Sequence, residues 1–345
     1  AVWAHRDAML IAPHYGLNFP RDAPETPSLD LQSLASNYLA ALSPEAFLAE
    51  IEAVSTALWT DDKEFFFQHA NPSADGEEAR AAGSKRLAEL NHYSGATFYY
   101  AGEWYWGVDR LFYLEMRLQE LAANKSDLRG YLVPRPDIDV SGVDASGLTL
   151  DFYPSLNSPY TSIIFDKTIA VKDTSKIKFN HKPVLPMIMR GVAATNTKGN
   201  YIFFDTKREA EFLGVPFGPI ITPIGAPTRA AYALLPWAYE QGKDEDLMSS
   251  LLSAAWNEGI ALHTESGMQL AVTRAGLDWN AACKQFNRDD WKQLIAGHQH
   301  EMVEGMGLWG VPSYRLSGPD GEPDLMVWGQ DRLWLVAAEI KRRAG

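Results

Sequence analysis

"LNSPYTSII" (156–164) follows the short apolar run "LTLDFY" (148–153), and its reading decides the fold. A strand ends, a serine sits on the turn, and proline opens a helix. Pro159 suits a first helical turn, where its missing N–H is no loss. Ser158 before it is an ordinary N-cap. The same arrangement aims a hydroxyl and the N–H groups of a helix start at one point, where an anion would be favoured. The dipeptide alone leaves both readings open.

Working outward, "KIKFNHKPV" (176–184) reads as a second strand, so 148–187 is a strand–helix–strand segment. Gly and Asp punctuation then divides a helical stretch into 205–213, 226–241, 245–259, 264–275, 279–285 and 289–304. "SYRL" and "LMVWG" form a hairpin around "SGPDGEP". In "QDRLWLVAAEIKRR" the residues Leu333, Val336, Ala337 and Ile340 share one helix face. The order is β-α-β, a helical insert over about 205–305, then β-β-α. That is the plan of an α/β, thioredoxin-like domain with an inserted helical subdomain.

Much of this plan occurs twice. "VWAHRDAMLIAPHYGLNFP" (2–20) resembles "NYIFFDTKREAEFLGVPFG" (200–218), with Asp7 opposite Asp205 and Gly16 opposite Gly214. Trp59 in "STALWTDD" falls opposite Trp256 in "LSAAWNEG". Residues 92–118 resemble 308–340, with Asp109-Arg110 opposite Asp331-Arg332. The expectation is a duplication: a first copy over 1–127 that lacks its N-terminal β-α-β, a Gly-, Pro- and Asp-rich linker over 128–147, and a complete second domain over 148–345. The chain starts without Met and without a signal-peptide pattern, so a cleaved or truncated start is expected. A missing N-terminal piece, or contact with the second copy, would have to cover the first copy's sheet edge.

Composition narrows the function. Lys and Arg number 31 against 44 Asp and Glu, a net charge of −13 with no basic tract, which argues against nucleic acid as a general partner. No apolar run approaches the ~20 residues that span a bilayer. The single cysteine, Cys283, cannot form an intrachain disulfide, and "AACKQF" reads as a helix burying a small residue. A cytoplasmic setting is expected. His298 and His300 in "HQH" point about 200° apart on a helix and read as solvated, so no metal site is expected. His181 lies in a strand before Pro183 and reads as structural. Ser158 has no evident His base, which disfavours a serine hydrolase.

"DFYPSLNSPYTSI", "PVLPMIMRGVAATNTKGNYIFFDTKREAEFLGVPF" and "GLWGVPSYRL…WGQDRLWLV" resemble the 2-hydroxychromene-2-carboxylate isomerase and kappa-class glutathione transferase branch of the DsbA-like superfamily, over about 148–342. In that family the redox pair is replaced, and the corresponding positions here are Ser158-Pro159-Tyr160-Thr161. Passing on a disulfide needs two thiols, so a Cys-x-x-Cys disulfide oxidoreductase is excluded at this site. The resemblance implies glutathione as the bound thiol and Ser158 as the catalytic donor to its sulfur. Val311 precedes Pro312, the counterpart of the family's cis-proline, and its backbone would pair with the cysteinyl part. Asn196 and Lys198 would hold the glycyl end, and Gln330 and Asp331 the γ-glutamyl end. In the first copy Ala96 stands at the proline position, so its peptide bond should be trans.

The implied reaction is isomerisation of an aromatic catabolite resembling 2-hydroxychromene-2-carboxylate, by reversible addition of the glutathione thiolate. A kappa-type glutathione transferase and a non-enzymatic DsbA-like binding or assembly protein remain alternatives. The expected partner is a small aromatic substrate, with neither nucleic acid nor membrane. The duplication also leaves a homodimer open.

Overall fold

A computed structural model describes residues 2–20, 22–69, 75–125, 130–192 and 195–345. The chain divides into two compact units, Ala1–Arg135 and Pro136–Gly345. In the first, helices α1 (Val2–Ile11), α2 (Leu29–Ala40), α3 (Pro44–Trp59), α4 (Lys63–Gln68) and α5 (Gly76–Glu89) precede the hairpin β1 (Thr97–Tyr100) and β2 (Glu103–Trp106), and α6 (Leu111–Glu120) follows. Ser28, Ser43, Asp62 and Asp75 start four of the helices by accepting a first-turn N–H. Leu31, Ala35, Tyr38, Val54, Ala57 and Phe66 form a core among α2, α3 and α4. Tyr105, Phe112 and Tyr113 join the hairpin to α6. The Gly95–Ala96 bond is trans, and Ala96 has φ +55°.

The second unit is built on a four-stranded sheet of order β4-β3-β5-β6, with β3 (Thr149–Tyr153), β4 (Lys178–His181), β5 (Ser313–Ser317) and β6 (Leu325–Trp328). The parallel pair β3–β4 is bridged by helix α7 (Pro159–Ser175), and β5 runs antiparallel to both β3 and β6. Between β4 and β5 lie α8 (Asn196–Leu213), α9 (Ala226–Ala233), α10 (Leu235–Glu240), α11 (Asp244–Trp256), α12 (Glu265–Arg274), α13 (Trp279–Cys283) and α14 (Asp290–His300). Helix α15 (Leu333–Ala344) closes the unit.

The two faces of the sheet differ, as the two-residue strand period requires. Leu150, Phe152, Tyr314 and Leu316 point to an apolar face, where the Phe152 and Tyr314 rings stack at 5.1 Å. Thr168 of α7 reaches the Tyr314 hydroxyl at 3.3 Å, which places α7 there. The opposite face carries ions. Asp151, 2% exposed, accepts from Arg315 Nε at 2.8 Å and from Asn180 Nδ2 at 2.6 Å. Lys182 Nζ lies 3.4 Å from the same carboxylate and 2.5 Å from Glu301 Oε2, to which the Tyr153 hydroxyl also donates. Two acids face two bases, so the buried charge is compensated.

Several elements differ from their sequence reading. Helix α8 starts at Asn196 rather than 205, because Thr195 caps it by accepting the Lys198 N–H at 3.2 Å. The expected 226–241 helix breaks at Leu234, and α10 starts at Leu235 with Pro236 in its first turn. The expected 289–304 helix ends at His300 and continues as a π turn over Glu301–Gly305. Residues 136–147, expected within the linker, belong to the second unit, where the Ala145 N–H donates to Ser175 C=O; residues 128 and 129 of that linker lie outside the described residues.

Two further expectations are corrected. Cys283 is exposed at the last residue of α13, and its neighbour Ala282 is the buried one. His298 is buried, with Nδ1 3.0 Å from the Pro183 carbonyl, because α14 turns that side toward the end of β4.

Burial, partly opposed by the Pro183 carbonyl, holds the His298 pKa below 6.5. Between that lowered value and 6.5 the unfolded chain binds more protons than the folded one. Stability should therefore fall as pH drops from 7 through this window. His298→Gln should flatten that acid limb in urea titrations, and an unchanged limb would contradict the assignment. A Cβ on Gly310 would fall 1.9 Å from Trp328 Cε2. Gly310→Ala should cost about 1–3 kcal/mol of unfolding free energy, and wild-type stability would show that the indole does not pack there.

Candidate functional site

The register brings three loops to one end of the sheet. Tyr153 pairs with Ser313, so one residue further Pro154 stands beside Pro312. The Gly329 N–H donates to Pro312 C=O at 2.9 Å. The α7 start, the Val311-Pro312 segment and the Gly329–Arg332 turn therefore meet at the carboxyl end of β3.

Ser158 is 6% exposed and is the N-cap of α7, its Oγ accepting from Thr161 N–H at 3.1 Å. Among the described residues no acceptor takes the Ser158 hydroxyl proton. Thr161 is fully buried, and its Oγ1 accepts from Ser155 N–H at 3.4 Å. The Leu156 peptide between them is held by the helices: its N–H donates to the Tyr232 hydroxyl at 3.1 Å, and its carbonyl accepts from Trp256 Nε1 at 2.9 Å. Tyr232 in turn donates to Val184 C=O at 2.9 Å, and burial pushes its pKa up to about 12.

The Val311–Pro312 bond is cis, and among the described residues no hydrogen bond reaches the Val311 N–H or C=O. Gln330 is buried and donates from Nε2 to Glu209 Oε2 at 2.9 Å, while its Oε1 is buried without a partner. The Asp331 carboxylate folds back over Gly329 and lies 3.7 Å from Arg332 Nη1. Lys198, in the first turn of α8, sets its Nζ 5.6 Å from the centre of the Trp309 ring, two residues before Val311. Asn196 opens α8 and is exposed.

The register thus gathers Ser158, Val311, Pro312, Gln330 and Asp331. Lys198 joins them through Trp309, and Asn196 lies two residues before Lys198 in the first turn of α8. Sequence reasoning missed the pairs that position α8. The Tyr160 hydroxyl donates to Asp205 Oδ2 at 2.7 Å, and Glu209 holds Gln330. Asp205 and Glu209 lie one turn apart in α8 and both are buried, which the sequence alone did not show. Asn157 Oδ1 beside Ser158 is a further buried acceptor without a partner.

Two clefts lie elsewhere in the unit. One of about 360 Å³ runs along α14 by Arg229 and Trp291. The other, about 620 Å³, lies between the end of β4 and the helices, lined by His181, Tyr239, Asp244 and His298. There His181 Nδ1 is 2.8 Å from Asp244 Oδ2. Neither cleft is lined by Ser158, Val311 or Asp331. Among the described residues no three His, Cys, Asp or Glu side chains are placed to hold a metal, and no helix is long and apolar enough to cross a membrane.

Chemically, the arrangement offers a hydroxyl proton at a helix start, an unpaired backbone segment opposite it, and cationic and acidic side chains to either side. Among solved structures, 2-hydroxychromene-2-carboxylate isomerase is similar at 20% identity, over 56% of this chain and 95% of that one, with a TM-score of 0.46. The cytosolic disulfide reductase DsbM from Pseudomonas aeruginosa, solved with GSH, is 14% identical over 56% and 98%, with a TM-score of 0.41. A thioredoxin-like oxidoreductase from Silicibacter pomeroyi DSS-3 is 15% identical over 61% and 95%, with a TM-score of 0.36. Comparison with curated proteins gave no significant match. Residues 149–341, more than half of the chain, match the DSBA-like thioredoxin domain, and the chain belongs to that family.

Proposed function

We propose that the second unit binds glutathione at the α7 start and is a glutathione-dependent isomerase of an aromatic substrate resembling 2-hydroxychromene-2-carboxylate. The observation that carries this reading is Ser158, whose oxygen caps α7 while its proton is left for a ligand. The neighbouring acceptors fit the rest of the tripeptide. Gln330 Oε1 and Asp331 suit its ammonium group, the Val311 peptide suits an extended backbone, and Lys198 suits a carboxylate. Asn196, at the mouth of α8, is assigned to the same glycyl end. Bound glutathione would supply a thiolate able to add reversibly to a conjugated carbon. The protein's part is to donate from Ser158 to the sulfur, to hold both ends of the tripeptide, and to orient the second reactant. No side-chain base is required of Ser158.

The same chemistry without reversal is glutathione conjugation, and the site favours neither over the other. A cytoplasmic setting suits a reduced thiol ligand. We further propose that the first unit is an incomplete copy of the second. Support comes from matched local geometry. Gly16 and Gly214 both close a helical segment at φ +67° and +66°, and both final helices follow a Gly at positive φ and a 3-10 turn ending in a buried Arg, Arg110 and Arg332. With Ala96 where Pro312 stands, the first unit is assigned a structural role.

Calorimetric titration of the full chain with glutathione should give saturable binding. An affinity weaker than several millimolar would sink both enzymatic readings and leave the binding-module one. The bound thiol should titrate below the ordinary value of about 8.5. Ser158→Ala should leave affinity nearly intact and raise that pKa by about one to two units, the worth of one hydrogen bond to an anion. An unchanged pKa in ultraviolet thiolate titration would refute the role of Ser158.

A further inference from the structure

Most cations of the second unit that reach into its structure are matched by carboxylates. Arg315 and Lys182 pair with Asp151, Lys172 with Glu245 and Arg288 with Asp290. Arg190 is different. It ends the 3-10 turn Met187–Arg190 between β4 and α8 and is half-buried. Its Nε donates to Leu185 C=O at 2.9 Å and its Nη2 to Trp309 C=O at 2.7 Å. Both acceptors are neutral, and among the described residues no carboxylate lies within ion-pair distance. A guanidinium partly removed from water without a counter-charge is costly. Nη1 is unspent, and the planar fork suits a carboxylate.

Trp309, whose carbonyl holds Arg190, is 40% exposed and backed by the Trp328 ring at 4.9 Å. Lys198 Nζ lies 5.6 Å from the centre of the same indole. Two cations without carboxylate partners thus flank one supported, solvent-facing aromatic ring, two residues from the Val311 peptide.

We propose that Arg190 is a specificity-determining residue that pairs with the carboxylate of a flat aromatic acid lying against Trp309. Lys198 serves a different carboxylate, the glycyl end of the tripeptide. The Lys198 half rests on the glutathione reading, and the Arg190 half does not. The Trp309 ring supplies contact area and Arg190 supplies the charge test, so an acid is separated from an uncharged molecule of the same shape.

The test uses the full chain, with 2-naphthoate as probe, 2-naphthamide as its uncharged match, and glutathione in a separate titration. Wild type should bind the naphthoate at least about tenfold more tightly than the amide. Arg190→Gln should abolish that ratio while changing glutathione affinity less than about twofold. Lys198→Met should show the reverse pattern. Equal binding of acid and amide to wild type, or a ratio unaffected by Arg190→Gln, overturns the proposal. So does an Arg190→Gln loss for glutathione as large as that for naphthoate. An Arg190-dependent ratio in a chain that does not bind glutathione upholds the proposal and removes the glutathione reading instead. Should Arg190→Gln unfold, Arg190→Met keeps the apolar stem and removes the charge; loss of the acid-to-amide ratio there upholds the assignment and a wild-type ratio overturns it.

Discussion

The Leu156 peptide is the point on which the second unit depends. It lies fully buried in the turn between β3 and α7, where neither sheet nor helix can satisfy its N–H and C=O. Tyr232 and Trp256 do so instead, from α9 and α11. A buried peptide group left without a partner costs about 1–3 kcal/mol, so the helical insert is a condition for this turn rather than an appendage. Tyr232 also bonds Val184, just beyond β4, so one hydroxyl ties together the loops that leave both parallel strands. The position of Ser158, two residues past Leu156, is inherited from this clamp.

The ionic face of the sheet has a complementary role. Asp151, Arg315, Lys182 and Glu301 link β3, β5, the end of β4 and the π turn after α14. The cluster is neutral as a whole, so it locks the last helix of the insert onto the sheet without projecting net charge toward the α7 start. Positive charge without a carboxylate partner among the described residues lies further along, at Arg190 and Lys198, next to the loop that carries Val311. A chain with a net charge of −13 can thus still present a local anion site, because pairing, and not composition, sets the local field.

What was legible in the sequence followed from short-range rules. Alternation in "LTLDFY", proline at the first turn of α7 and the apolar stripe of α15 each depend on a few adjacent residues, and each is where it was expected. The start of α8 was hidden because Asn196, Gly199 and Asn200 are weak helix formers, whereas Thr195 supplies a cap strong enough to begin the helix. For His298, the angular argument against a shared metal says nothing about burial, which is set by how α14 packs on the end of β4. Tyr160–Asp205 and Gln330–Glu209 join residues 45 and 121 positions apart. No local pattern specifies such pairs. They arise once α7, α8 and the final turn have been brought together by the core.

That packing also sharpens what the α7 start can offer an anion. Pro159 has no N–H, the Thr161 N–H is taken by Ser158 Oγ, and the Ser162 N–H is taken by the Ser158 carbonyl. The first turn therefore consumes much of its own donor capacity on Ser158. The hydroxyl proton of that residue becomes the principal group through which the helix end can act. An oxygen that accepts a hydrogen bond is polarised to donate a stronger one, so the Thr161 N–H acts through Ser158 rather than directly. Under the proposed reading, capping and ligand binding would be successive links of one hydrogen-bond chain, with the helix dipole behind it. A plain cap and a functional serine would be alternatives only if the cap used the proton, and here it uses the lone pair.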